Sequence, residues 1–65
     1  MEYFYVGAKQ EYEQGYIKKH EILCLKYVHT IDVWNYYEEV GGLGRTIPVL
    51  KDLPLSDYFD IIEND

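Results

Sequence analysis

The sequence predicts a small single domain that is mainly β or α+β, and three observations carry that prediction. At 65 residues the chain lies near the lower limit for a domain that folds on one hydrophobic core. It carries eight tyrosines, two phenylalanines and one tryptophan, side chains that favour strands and bring large packing areas. Its one alanine is Ala8 and its one methionine is Met1, so the strongest helix formers are scarce and a helical bundle is disfavoured. At this size an efficient aromatic core, self-assembly or a partner has to supply the stability.

The elements follow in order. Tyr3 to Ala8, YFYVGA, is a short aromatic and β-branched run that reads as a strand, and Gly7 within it marks a bulge or a close backbone approach. Residues 11–16, EYEQGY, have turn chemistry centred on Gly15 and reverse the chain. From Tyr16 to Thr30, a strand would place Ile22, Cys24, Lys26 and Val28 on one face and Leu23, Leu25 and Tyr27 on the other, apolar on both sides. Helical spacing of Ile17, Glu21, Cys24, Val28 and Ile31 competes with it, and β-branched and aromatic content favours the strand.

Residues 30–40 support two readings. As a helix, Thr30 is the N-cap, Val33, Trp34, Tyr37 and Val40 form the buried stripe, and Gly41 stops the last turn. As a hairpin, VWNYYEEV pairs with RTIPVL across the loop GGLG, with Pro48 confined to an edge position. Further on, KDLPLSD is a loop, and Ser56 caps a final helical turn through Asp57, Tyr58, Phe59 and Asp60. Residues 63–65 are expected to fray.

The run VWNYYEE, a glycine loop, TIPV and then KDLPL resembles the third and fourth strands of small SH3-like barrels of the Tudor type, over roughly residues 32–55. The resemblance implies an aromatic strand, a glycine turn and a strand that leads into a short 3₁₀ segment. It also implies that Trp34, Tyr36 and Tyr37 contribute to an aromatic surface.

Charge narrows the function classes. The net charge is −6, and residues 1–29 are balanced, so the whole excess lies in residues 30–65. After Lys51 come Asp52, Asp57, Asp60, Glu63 and Asp65 with no base. Such an asymmetry opposes direct contact with nucleic acid phosphates and suits a basic protein surface. Cys24 is alone, the longest apolar stretch is Ile22 to Leu25, and no secretory leader is evident, so the expectation is a soluble, cytoplasmic protein with no membrane segment. Met1 at the head of so short a chain reads as a complete small reading frame.

No catalytic constellation emerges. His20, Cys24 and His29 are too few and too widely spaced for zinc, and Cys24 sits in an apolar run that suits an inert thiol. Glu38 with Glu39, and Asp57 with Asp60, would need a cleft to act as acid and base, which a domain of this size rarely has. Gly41, Gly42 and Gly44 lack the spacing of a phosphate-binding loop. Tyr37-Glu38-Glu39-Val40 resembles a phosphotyrosine ligand and Ser56 to Ile61 a tyrosine-inhibitory motif, patterns that arise readily by chance. Neither an enzyme, a metal nor a cofactor is expected.

The combination of aromatics and acids points to binding. Trp34, Tyr36, Tyr37, Glu38 and Glu39 are contiguous, and Asp57, Tyr58 and Asp60 repeat the pairing. Interfaces use Tyr and Trp as anchors, and surrounding acids steer a basic target. These eight residues are the candidate partner-binding set; a core of aromatics with a solvated acidic rim accounts for the same pattern. The expected function is a small acidic inhibitor or antitoxin that occupies a basic surface, in the manner of a nucleic-acid mimic and suited to a virus or mobile element. The alternatives are an SH3-like reader that holds a peptide or methylated cation in an aromatic cage of Tyr12, Trp34, Tyr36 or Tyr37, and a structural homo-oligomer.

Overall fold

The computed structural model describes residues 2–12 and 14–64. Its strands are β1 (Tyr3–Ala8), β2 (Ile22–Ile31), β3 (Trp34–Glu39), β4 (Thr46–Leu50) and β5 (Phe59–Asn64), with a 3₁₀ turn at Leu55–Asp57. All five strands join one antiparallel sheet in the order β4-β3-β2-β1-β5, so the chain is mainly β, as its composition predicts.

The alternative left open at residues 30–40 resolves as a hairpin. Ile31 pairs with Trp34 across the turn Asp32-Val33, and β3 pairs onward with β4, with Trp34 opposite Leu50 and Glu38 opposite Thr46. Asp32 takes φ +57°, a left-handed conformation that Asp adopts more readily than most residues. The glycines between β3 and β4 form the loop, and Pro48 lies on an edge strand. This order of strand, glycine loop, strand and 3₁₀ turn is the one the SH3-like resemblance implies.

Three local expectations are corrected. The strand expected from Tyr16 begins at Ile22; residues ahead of it form a loop pinned by a bridge between Tyr12 and Ile17, with Gln14 and Gly15 at positive φ. The final helical turn runs from Leu55 to Asp57, with Pro54 at its N-cap and no side-chain cap, so Ser56 lies inside it. Phe59 and Asp60 belong instead to β5, and the strand buries Phe59 to 1% exposure, which a solvated turn would not do. Glu63 and Asn64, expected to fray, pair with Tyr5 and Phe4; Asp65 lies outside the described residues.

The core consists of Val6, Ala8, Ile17, Leu23, Leu25, Ile47, Val49 and Phe59. In a flat sheet β4 and β5 would stand about 19 Å apart, four strand spacings. Ile47 and Val49 of β4 nevertheless share one buried cluster with Phe59 of β5, so the sheet curls over a single interior. The inner face carries the rows Phe4, Leu25, Glu39 and Tyr27, Tyr37, Ile47. A bulge at Val28 shifts β2 by one residue, which turns His29 and Ile31 to the outer face opposite Tyr36 and Trp34.

Gly7 does not bulge the chain itself. Its outer side is bracketed by the Cδ1 atoms of Ile22 and Ile62, and the register shift beside it belongs to the β1–β5 pairing.

Candidate protein-interaction surface

Strand alternation divides the aromatic and acidic run 34–39 between two faces. Trp34, Tyr36 and Glu38 point outward; Tyr37 and Glu39 point into the curled sheet.

On the inner side, Tyr37 packs against the core and is met edge-on by Phe4 at 6.2 Å and Tyr27 at 5.9 Å between ring centroids. Burial raises its phenol pKa above the usual value, with Tyr27 and Glu2 adding to the effect. Glu39 is 8% exposed and accepts bonds from Arg45, whose Nε lies 2.7 Å from its Oε1 and whose Nη2 lies 3.1 Å from its Oε2. The same guanidinium reaches Glu21 through Nη2 at 2.6 Å and Nη1 at 3.3 Å, and the Tyr16 carbonyl through Nη1 at 2.8 Å. All five guanidinium N–H groups therefore have acceptors. Hydrogen bonds from Arg45 hold both carboxyls below the ordinary carboxylate range, and the two glutamates raise the Arg45 pKa further. This triad ties the loop before β2 to the turn between β3 and β4.

On the outer side, two cross-strand rows lie next to each other. One is Ile31, Trp34 and Leu50; the other is His29, Tyr36 and Pro48. Ile31 is 58% exposed and Trp34 37%, with Val28 and Val33 also exposed beside them. The His29 and Tyr36 rings lie 5.2 Å apart. Hydrogen bonds from Tyr27 Oη to Thr30 Oγ1, 2.6 Å, and from Thr30 Oγ1 to Asn35 Oδ1, 2.5 Å, fasten the hairpin that carries these rows. Glu38 borders them and pairs with Lys26 at 3.4 Å.

The second candidate group lies elsewhere. Asp57 is exposed in the 3₁₀ turn, and Tyr58 packs on the core and edge-on against Tyr12 at 6.5 Å. Asp60 is exposed on β5 opposite Gly7, three strands from β3 in sheet order. The four rings named for an aromatic cage are dispersed: Tyr37 is inside, Trp34 and Tyr36 are outside, and Tyr12 lies beside the β4 edge, where its hydroxyl donates to the Pro48 carbonyl at 2.5 Å. There, Tyr12, Tyr16, Thr46 and Pro48 line an open pocket of about 380 Å³.

Sequence reasoning missed Ile31, Leu50, His29 and Pro48 as neighbours of Trp34 and Tyr36, because their adjacency depends on the register of two hairpins. It also missed Arg45, although one arginine among eight acids in that half of the chain was the available signal. Cys24 is half-buried on the outer face opposite Tyr5. Among the described residues no three His, Cys, Asp or Glu side chains are grouped to hold a metal, and no helix is long and apolar enough to cross a membrane. Comparison with known proteins returns no match to a protein family, a curated protein or a solved structure.

Proposed function

We propose that this domain is a non-enzymatic binding protein that covers a basic surface of a partner protein, as a small inhibitor or antitoxin does. Its contact surface is the outward face of β2, β3 and β4 centred on Trp34 and Tyr36. The observation that carries the reading is the alignment of Trp34 with Ile31 and Leu50, and of Tyr36 with His29 and Pro48, in two rows on the outer side of the sheet, with Ile31, Trp34 and His29 exposed and Tyr36, Leu50 and Pro48 half-buried. Trp and Tyr surrounded by apolar side chains are the residues that dominate interface energetics.

The acids act at longer range. Glu39 is neutralised by Arg45 and takes no part in contact, whereas Asp32, Asp52, Asp57 and Asp60 are exposed and add to the field of a −6 chain. Such a field raises the rate of encounter with a basic target and is screened by salt. The test is Trp34→Ala with Tyr36→Ala for contact, beside Asp52→Lys with Asp57→Lys for steering. The first pair should raise the dissociation rate of the complex, and the second should slow association at low salt while leaving dissociation nearly unchanged. A complex that is indifferent to both pairs would overturn the proposal.

A further inference from the structure

The two edges of the sheet are finished differently. On β4, Glu39 N–H donates to the Arg45 carbonyl, so alternation turns the backbone groups of Thr46 and Pro48 away from β3. Those groups are covered from within the chain. Tyr16 Oη accepts from Thr46 N–H at 3.2 Å and lies 3.4 Å from its carbonyl, Tyr12 Oη donates to the Pro48 carbonyl, and the Leu50 carbonyl accepts from Leu53 N–H. Pro48 has no N–H to leave open.

β5 is not finished in this way. Ala8 makes its backbone bonds toward the β2 side, with Glu21 and His20, so alternation directs Val6 there too. Their β5 partners Phe59 and Ile61 are then oriented to the outer side; Phe59 is covered at 1% exposure, whereas Ile61 presents its N–H and C=O where no strand pairs among the described residues. Ile61 and Ile62 are exposed along this edge, as are the acids Asp60 and Glu63.

We propose that the outer edge of β5 accepts an extended basic segment of a partner protein as a sixth strand. Main-chain bonds to Ile61 would supply affinity, and Lys or Arg opposite Asp60 and Glu63 would supply selectivity. Charge identifies this occupant. In a pairing of two copies, each strand would bring Asp60 and Glu63 to the new ladder, and no base follows Lys51 to relieve them. The bulge at Ile62 and the acids are devices that blunt an edge against indiscriminate pairing; a basic strand is the one they do not exclude. This edge is separate from the Trp34 and Tyr36 face, and either can fail without the other.

The experiment is backbone amide hydrogen exchange with a synthetic Lys-Val-Lys-Val-Lys-Val peptide as the probe, and its Glu-Val counterpart as control. The basic peptide should slow exchange of the Ile61 amide by about tenfold, leave the Trp34 and Tyr36 amides unaffected, and lose its effect on the Asp60→Lys, Glu63→Lys double variant and at high salt. Both replaced side chains are exposed, so folding is retained, and the salt arm requires no variant. Unchanged exchange at Ile61 with saturating peptide, equal protection by the acidic peptide, or protection that rises with protein concentration alone would overturn the proposal.

Discussion

Arg45 Nε donates to Glu39 Oε1 at 2.7 Å from a side chain that is only 9% exposed, and this pair, with Glu21 behind it, ties the loop before β2 to the turn between β3 and β4. Removing one partner of a buried pair leaves an uncompensated charge and costs about 3–5 kcal/mol. A 65-residue domain has only about 3–10 kcal/mol in total. Arg45→Met should therefore leave the domain largely unfolded at 25 °C, and Arg45→Met with Glu39→Leu should recover most of the loss. Urea titration followed by tryptophan fluorescence measures both; an Arg45→Met variant as stable as the parent would remove the triad from the account.

The same triad sets the acid limit of stability. Glu21 and Glu39 titrate below their ordinary value of 4.5 because Arg45 hydrogen-bonds their charged forms. Their contribution is present above the unfolded-state value and is lost as pH falls through the lowered folded-state values. Unfolding free energy should be flat from neutral pH to about 5.5 and decline below about 4.5, more gently in Glu39→Gln. Tyr37 acts at the other end: its raised pKa favours the neutral phenol, so stability falls as pH rises beyond 10.

Adjacent aromatics should respond in opposite ways to truncation. Tyr37→Ala removes a ring packed on Phe4, Tyr27 and the core and should cost about 3 kcal/mol. Trp34→Ala on the outer face should cost about 1 kcal/mol or less. Thermal melts of the two variants decide it, since equal losses would mean that Trp34 is part of the core rather than of a contact surface.

Alternation explains how much of this was legible. Composition pointed to strands, and the glycine loop with Pro48 at an edge was readable from turn chemistry alone. The hairpin over 30–40 stayed open because its turn, Asp32-Val33, carries no glycine, and because Thr30 and Gly41 are plausible ends for a helix. The fifth strand escaped notice because Asp60-Ile61-Ile62-Glu63 follows neither a two-residue nor a helical period, a consequence of the bulge at Ile62. In the candidate set, Trp34 and Tyr36 fall on the exposed face, but Glu39 serves an arginine that lies far from it in function and near it in sequence.

Two glycines make a paired test of the backbone. A Cβ on Gly7 would meet Ile22 and Ile62 Cδ1 at ordinary contact distances of 3.4 and 3.7 Å, and Gly7 does not need positive φ, so Gly7→Ala should stabilise by about 0.4–1 kcal/mol. A Cβ on Gly42, at φ +53°, would lie 2.6 Å from Glu39 Oε2 and disturb the Arg45 pair, so Gly42→Ala should destabilise by more than that. Chemical denaturation midpoints report both signs; a stabilised Gly42→Ala would contradict the placement of the Glu39 carboxylate.

The central claim is that the Trp34 and Tyr36 face meets a basic partner. The most direct measurement is capture from cell extract by the immobilised wild-type domain beside its Trp34→Ala, Tyr36→Ala double variant, each at low and high salt and each shown to be folded. The account predicts a discrete basic protein retained by wild type at low salt, released by high salt and absent from the double variant. Capture of the same protein by both, or capture that salt does not weaken, would contradict it.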